Sequence, residues 1–166
     1  SNAVGTPQHV INTSLFTLTL APQDPFNGVY NTEIGGAHAT HGDNFVVTQT
    51  TSGNIGTATF DFNMPVNAFG LNITDWGDFG NGSLTFSNDA GDVFVVSVSP
   101  QGNGNEQFFG VINPDFDFNQ VVFTQTISGE GYGIDEIYFG MTSVPGTATA
   151  TDNCDPAPVV TYSDAT

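Results

Sequence analysis

Residues 57–74 read TATFDFNMPVNAFGLNIT, and this stretch decides the fold class of the chain. An apolar side chain recurs at every second position from Ala58 to Phe62, which is the pattern of a strand with one buried face. The same spacing returns from Phe69 to Ile73, after a short polar and proline-containing break. The stretch therefore predicts two consecutive strands that face one core.

Short β-prone runs of this kind recur along the chain, and clusters of Gly, Asn, Asp and Pro separate them. No stretch shows helical periodicity over three turns. About nine strands at this spacing predict an all-β protein, an antiparallel β-sandwich of the jelly-roll type. The other seven runs are residues 15–20, 44–50, 83–87, 93–98, 108–112, 120–126 and 133–139.

The charge of the chain is one-sided. Its 166 residues include 17 Asp and Glu but no Lys or Arg, so the formal net charge at pH 7 is −17. A chain without basic residues cannot neutralise phosphates, which argues against nucleic acid and against anionic membrane surfaces as partners. No apolar run is long enough to span a bilayer, so no membrane insertion is expected.

The same charge predicts a calcium cofactor. Folding brings carboxylates together without compensating cations, and Ca²⁺ takes several oxygen ligands from carboxylates and carbonyls. A calcium-rich medium in turn predicts a secreted protein, located outside the cell or at its surface.

Asp135 is the first candidate calcium ligand. It lies in the apolar run 133–139, where an unpaired buried anion would need a metal or backbone N–H groups to compensate it. The alternative is an exposed Asp at the start of a strand. Period two places Asp135 and Glu136 on opposite faces, so the two are not expected to act as a pair.

Residues 75–82 read DWGDFGNG and form a second candidate. Asp75, Asp78 and Asn81 recur every three positions among glycines, so such a loop could wrap a cation; a solvated hairpin loop is the alternative. Trp76 and Phe79 in the same loop could stack on sugar rings as a ligand-binding pair. The alternative for Trp76 is that it closes the end of the core.

Residues 33–44 read EIGGAHATHGDN and form the third candidate. His38 and His41 with two acids are a weak zinc signal, because no cysteine accompanies them. Asp43 and Glu33 fit the calcium site better, and simple Asx-turn chemistry is the alternative for the Gly-Asp-Asn turn.

Catalytic motifs are missing from the sequence. It contains neither a G-x-S-x-G elbow nor a phosphate-binding Walker loop. A glycosidase would need two carboxylates roughly 5–10 Å apart across a cleft, and no Lys or Arg exists to orient a substrate. We therefore expect that the protein is not an enzyme.

The two ends of the chain differ from its middle. Residues 1–3 (SNA) resemble the remnant of a removed tag, so a native secretion signal could have preceded them. We predict one domain over residues 4–142, and then a linker with the start of another module over residues 143–166. Cys154 is the single cysteine and cannot form an internal disulfide.

Four segments resemble a jelly-roll domain that recurs in secreted bacterial proteins, many of which carry a PEP-CTERM sorting tail. The resemblance implies the fold and no catalytic activity. The last segment also resembles the closing strand of calcium-bearing carbohydrate-binding and adhesion jelly rolls, which implies that Asp135 helps hold a structural calcium. The segments are MPVNAFGLNITDWGD (64–78), GSLTFSNDAGDVFVV (82–96), FFGVI (108–112) and YGIDEIYFG (132–140).

Residues 149–166, TATDNCDPAPVVTYSDAT, resemble the opening of a hyalin-repeat (HYR) module, an immunoglobulin-like domain found in arrays on surface adhesins. The resemblance implies that Cys154 pairs with a later cysteine of that module, and that neighbouring modules of the same chain are partners.

Together these observations predict a noncatalytic, calcium-stabilised module of a large secreted or cell-surface bacterial protein, with adhesion or glycan binding as its role. A purely structural spacer is the alternative, and a small glycan-degrading enzyme is a third hypothesis. An exposed aromatic patch would favour glycan binding, whereas a smooth acidic surface with all aromatics buried would favour the spacer.

Overall fold

The structure, a computed structural model, describes residues 9–49, 55–76, 82–99, 102, 104–125, 129 and 131–142. These residues form eleven strands and no helix, so the described part of the chain holds no helix that could cross a membrane. The strands are β1 (Val10–Asn12), β2 (Phe16–Ala21), β3 (Gly28–Tyr30), β4 (Phe45–Gln49), β5 (Thr57–Val66), β6 (Ala68–Thr74), β7 (Gly82–Ser87), β8 (Val93–Val98), β9 (Glu106–Ile112), β10 (Phe118–Gln125) and β11 (Gly131–Gly140).

The strands form two antiparallel sheets. The six-stranded sheet has the order β1-β2-β5-β10-β7-β8, and the five-stranded sheet has the order β3-β4-β11-β6-β9. Strands β4 to β11 divide between the sheets in the orders 4-11-6-9 and 5-10-7-8, which are the two four-stranded halves of a jelly roll. The predicted fold class is confirmed.

All nine predicted strands are present, and two further strands were missed. β1 and β3 have three residues each, which is too short for an alternating pattern to appear. Both lie at an edge of their sheet, where β1 pairs only with β2 and β3 only with β4 among the described strands.

The main core lies between the two sheets and is rich in phenylalanine. The alternating side chains of β5 and β6 meet there: the ring centroids of Phe60 and Phe69 are 5.2 Å apart. Phe62 packs on Phe139 of β11 with the centroids 4.9 Å apart. Aromatic pairs of this kind add stabilisation beyond the apolar area that they bury.

A second, small core lies on the outer face of the five-stranded sheet. Residues 31–44, which we call the covering loop, cross this face and bury Ala37 against Phe45 and Val47. The loop is held by Thr74, whose hydroxyl accepts a hydrogen bond from the His38 N–H and donates one to the His38 carbonyl, both at 3.0 Å. Part of this sheet is therefore buried on both faces.

Candidate functional site on the outer face of the five-stranded sheet

A β-bulge in β11 shapes the uncovered part of this face. Asp135 lies opposite Asn72 of β6, and Tyr138 lies opposite Gly70, so three steps along β11 match two along β6. The extra residue is accommodated at Glu136, which has a φ of +48°. Bulges commonly redirect side chains in this way, at a cost in backbone strain.

The bulge corrects one prediction. Asp135 and Glu136 were expected on opposite faces, but both carboxylates contact the hydroxyl of Thr40, at 3.1 and 3.2 Å. They therefore lie side by side on the outer face. The side chains of β11 do not alternate strictly between the two faces here, because the bulge inserts one residue. The local sequence does not reveal the position of the bulge.

Asp135 anchors the covering loop. Its Oδ2 accepts hydrogen bonds from the N–H of Thr40 at 2.9 Å and of His41 at 3.0 Å, and its Oδ1 accepts one from the N–H of Glu136 at 2.9 Å. The sequence allowed either a metal or backbone N–H groups to compensate the charge of Asp135. The structure shows the backbone N–H groups in this role. Such charge-assisted hydrogen bonds are among the stronger ones in proteins.

Glu136 is held by three side chains. Its Oε2 accepts from the Asn72 amide and from Thr40, and its Oε1 accepts from the Tyr138 hydroxyl at 3.1 Å. The hydrogen bond to Glu136 raises the pKa of Tyr138, and desolvation and the nearby carboxylates of Glu136 and Asp135 act in the same direction. The phenol is therefore a persistent donor to Glu136.

Beside this acid pair runs a groove of about 470 Å³, which we call the aromatic groove. Two aromatic side chains on it are more than half exposed: Phe108 at 56% and Tyr138 at 53%. Their ring centroids are 5.9 Å apart with the planes at 70°. Exposed Ile112 and Met141 also line the groove, so its surface is mainly apolar.

Glycines let the Phe108 ring lie low against the sheet. A Cβ on Gly70 would come within 2.7 Å of the Phe108 ring, and a Cβ on Gly110 within 2.8 Å. Gly70 and Gly110 are direct partners in the β6–β9 register, so the ring lies over two adjacent strands that lack side chains there. The Phe108 ring can take this position because residues 70 and 110 are glycine.

The arrangement has the chemistry of a small-molecule site. An apolar, aromatic surface with a few fixed polar groups at one end is the usual composition of a ligand pocket. Aromatic rings can stack on the C–H face of a sugar, while the carboxylate of Glu136, which contacts the Tyr138 hydroxyl, can accept hydrogen bonds from the sugar hydroxyls. The site combines both elements.

The predicted sugar-stacking role of Trp76 is wrong. Its side chain is 2% exposed, and its ring packs on Phe123 and Tyr132 with centroid distances of 4.8 and 5.2 Å. Trp76 thus closes one end of the core, the alternative that the sequence left open. Phe79, its predicted partner, lies outside the described residues.

The described members of the predicted calcium set are dispersed. Asp75 is buried, and its Oδ1 accepts a hydrogen bond from the N–H of Gly104 at 2.7 Å. Glu33 and Asp43 are exposed. Within the described residues, no three His, Cys, Asp or Glu side chains are grouped to hold a metal.

The remaining calcium candidates cannot be placed in this fold. Asp78 and Asn81 lie outside the described residues, as do Cys154 and the predicted linker and second module. Calcium binding therefore stays a prediction.

Four residues of the candidate site were not predicted from the sequence: Phe108, Tyr138, Glu136 and Asn72. One signal was available, because residues 108–112 begin with two consecutive phenylalanines. Neighbouring residues of a strand point to opposite faces, so one of the two had to leave the core. Nothing in the sequence placed Tyr138 beside Phe108, since that contact joins strands far apart in the chain.

No protein-family model and no curated protein matches this sequence. Among solved structures, the chain is similar to TmCBM61 in complex with β-1,4-galactotriose, with a TM-score of 0.57 and 14% identity over 75% of this chain and 88% of the other. A point mutant of the family 29 carbohydrate-binding module CBM29-2 matches with a TM-score of 0.49 and 17% identity, over 86% of this chain and 89% of the other. At 14% identity, the similarity to TmCBM61 shows a shared β-sandwich fold and no more.

Proposed function

We propose that this domain is a noncatalytic glycan-binding module and that the aromatic groove is its binding surface. The observation that supports this most is the exposed pair Phe108 and Tyr138, with the Phe108 ring over Gly70 and Gly110 and the Tyr138 hydroxyl bonded to Glu136. The expected ligand is an oligosaccharide with one sugar ring stacked on the aromatic pair.

The exposed aromatics favour glycan binding over the spacer hypothesis. A structural spacer is not expected to expose two large aromatic side chains in a groove, because exposed apolar patches promote unwanted association. The similar structure TmCBM61 was solved with a β-1,4-galactotriose, which is consistent with a glycan ligand on this fold.

The placement of the acid pair supports a noncatalytic role. Asp135 and Glu136 share the hydroxyl of Thr40 and therefore stand on one side of the groove. A glycosidase needs two carboxylates that flank the scissile bond, one of them as a proton donor. The glycan-degrading alternative therefore has little support at this site.

We further propose the wider setting that the sequence predicts: a calcium-stabilised module of a secreted bacterial surface protein. The two family resemblances and the net charge of −17 support it. If calcium binds only the native state, a hundredfold excess over Kd stabilises the fold by about 2.7 kcal/mol. EGTA should then lower the melting temperature, and an unchanged melting curve would contradict the calcium proposal.

A glycan array probed with calcium and with EGTA would identify ligands. Isothermal titration of the best neutral ligand against Phe108→Ala would then test the site. We expect at least a tenfold loss of affinity, or about 1.4 kcal/mol. Phe26→Ala is the matched control, because Phe26 is 48% exposed and does not line the groove. An equal effect of both variants, or none, would contradict the proposed site.

A further inference from the structure

A pair of carboxylates lies next to the aromatic groove: the hydroxyl of Tyr138, which lines the groove, donates a hydrogen bond to Oε1 of Glu136 at 3.1 Å. Asp135 and Glu136 lie close enough to share the Thr40 hydroxyl. The chain has no Lys or Arg anywhere, so no cationic side chain other than a protonated His can pair with them. Two adjacent anions in a chain of charge −17 create a local negative potential beside Tyr138.

The hydrogen bonds at this pair leave acceptor capacity. A carboxylate oxygen can accept two hydrogen bonds. Among the described residues, Oε1 of Glu136 receives one, from Tyr138, and Oδ1 of Asp135 receives one, from the Glu136 N–H. Both donors are already committed, so within the described part of the chain these acceptor positions stay open to a donor from a ligand.

We infer that the aromatic groove selects its glycan by charge: it prefers a chain whose sugars carry a protonated amine and rejects one whose sugars carry carboxylates or sulfates. This inference rests on the proposed glycan-binding function. An ammonium has three donors and no acceptor, which suits two carboxylates with open positions. It also gains from the π-faces of Phe108 and Tyr138, which attract cations. A uronic acid would bring a third anion to the same place.

The test compares three short oligosaccharides of equal length: glucosamine, N-acetylglucosamine and galacturonic acid. Binding is measured at about pH 6 and low salt, with EDTA present so that no divalent cation bridges the anions. We expect glucosamine to bind about fivefold more tightly than N-acetylglucosamine, the upper range for an exposed ion pair. We expect no measurable binding of the galacturonic acid chain. The preference should disappear as NaCl is raised to about 0.5 M, because screening then acts within a few ångströms.

Two variants separate a local effect from the overall charge. Glu136→Gln should bring the affinity ratio of glucosamine to N-acetylglucosamine close to one. Asp115→Asn removes the same charge at an exposed position outside the groove and should leave the ratio unchanged. Equal losses in both variants would overturn the inference, because the preference would then reflect net charge alone.

The remaining outcomes distinguish the inference from the proposed function. Tight binding of galacturonic acid, or no preference for glucosamine, overturns charge selection and leaves glycan binding at the groove intact. Glucosamine binding that is indifferent to Phe108→Ala shows that the amine is bound outside the groove, which overturns both.

Discussion

Asp135→Ala tests whether this carboxylate holds the covering loop. The substitution removes the acceptor of the Thr40, His41 and Glu136 N–H groups, while the Thr40 hydroxyl keeps Oε2 of Glu136 as an acceptor. A hydrogen bond to a charged group contributes about 1.5–3 kcal/mol, but water reaches this partly exposed site and replaces some of the loss. Repulsion from Glu136 also disappears. We therefore expect the free energy of unfolding to fall by about 2–4 kcal/mol.

The assay is equilibrium unfolding in urea, with EDTA present so that any calcium effect is excluded. In a thermal melt, the melting temperature of a domain of this size should fall by roughly 6–16 °C, at about 3–4 °C per kcal/mol. Asp43→Ala is the matched control, since Asp43 is exposed in the same loop. Amide exchange gives a local readout: the N–H groups of Thr40 and His41 should lose protection first. Equal stability of the Asp135 and Asp43 variants would refute the anchoring role.

Three further predictions concern stability. Burial raises the pKa of Tyr132 above its ordinary 10.0, with an opposing effect from Thr48, so above about pH 10 mainly the unfolded chain releases this proton. This group alone should lower the unfolding free energy there by up to about 1.4 kcal/mol per pH unit, and urea titrations of Tyr132→Phe should show a correspondingly shallower slope. Gly133→Ala should cost about 1–3 kcal/mol, because its Cβ would lie 2.4 Å from Thr74 Oγ1; Gly131→Ala, with 3.4 Å to its nearest atom, should cost much less, and equal urea midpoints would contradict this. Moderate NaCl should raise the melting temperature of the calcium-free protein by screening its charge, and a decrease would show that repulsion is not a leading factor.

The fold could be predicted because its core strands alternate. Residues 57–74 became β5 and β6, with Ala58, Phe60 and Phe69 buried as the spacing required. Such a pattern is local, and burial on one face enforces it. The short strands β1 and β3 show no such pattern, and each of them pairs with one longer strand, β2 or β4.

The site could not be predicted in the same way, because its parts come together only in the folded protein. Trp76 and Phe108 are both aromatic residues close to glycines, yet Trp76 is buried and Phe108 is exposed. Which of them faces solvent depends on the sheets that cover it. The bulge at Glu136 likewise follows from how β11 pairs with β6, and this pairing redirects a side chain that strict alternation would place inside.

The central claim is that a glycan binds on the aromatic groove, and chemical-shift mapping by NMR tests it most directly. On titration with the best neutral oligosaccharide from the array, we expect saturable shifts in the amides of β9 and of β11 near Tyr138, and in the ring protons of Phe108. Shifts confined to the opposite sheet, for example around the polar pocket lined by Asp61 and Asn119, would contradict the account. So would a full set of shifts in Phe108→Ala at unchanged affinity.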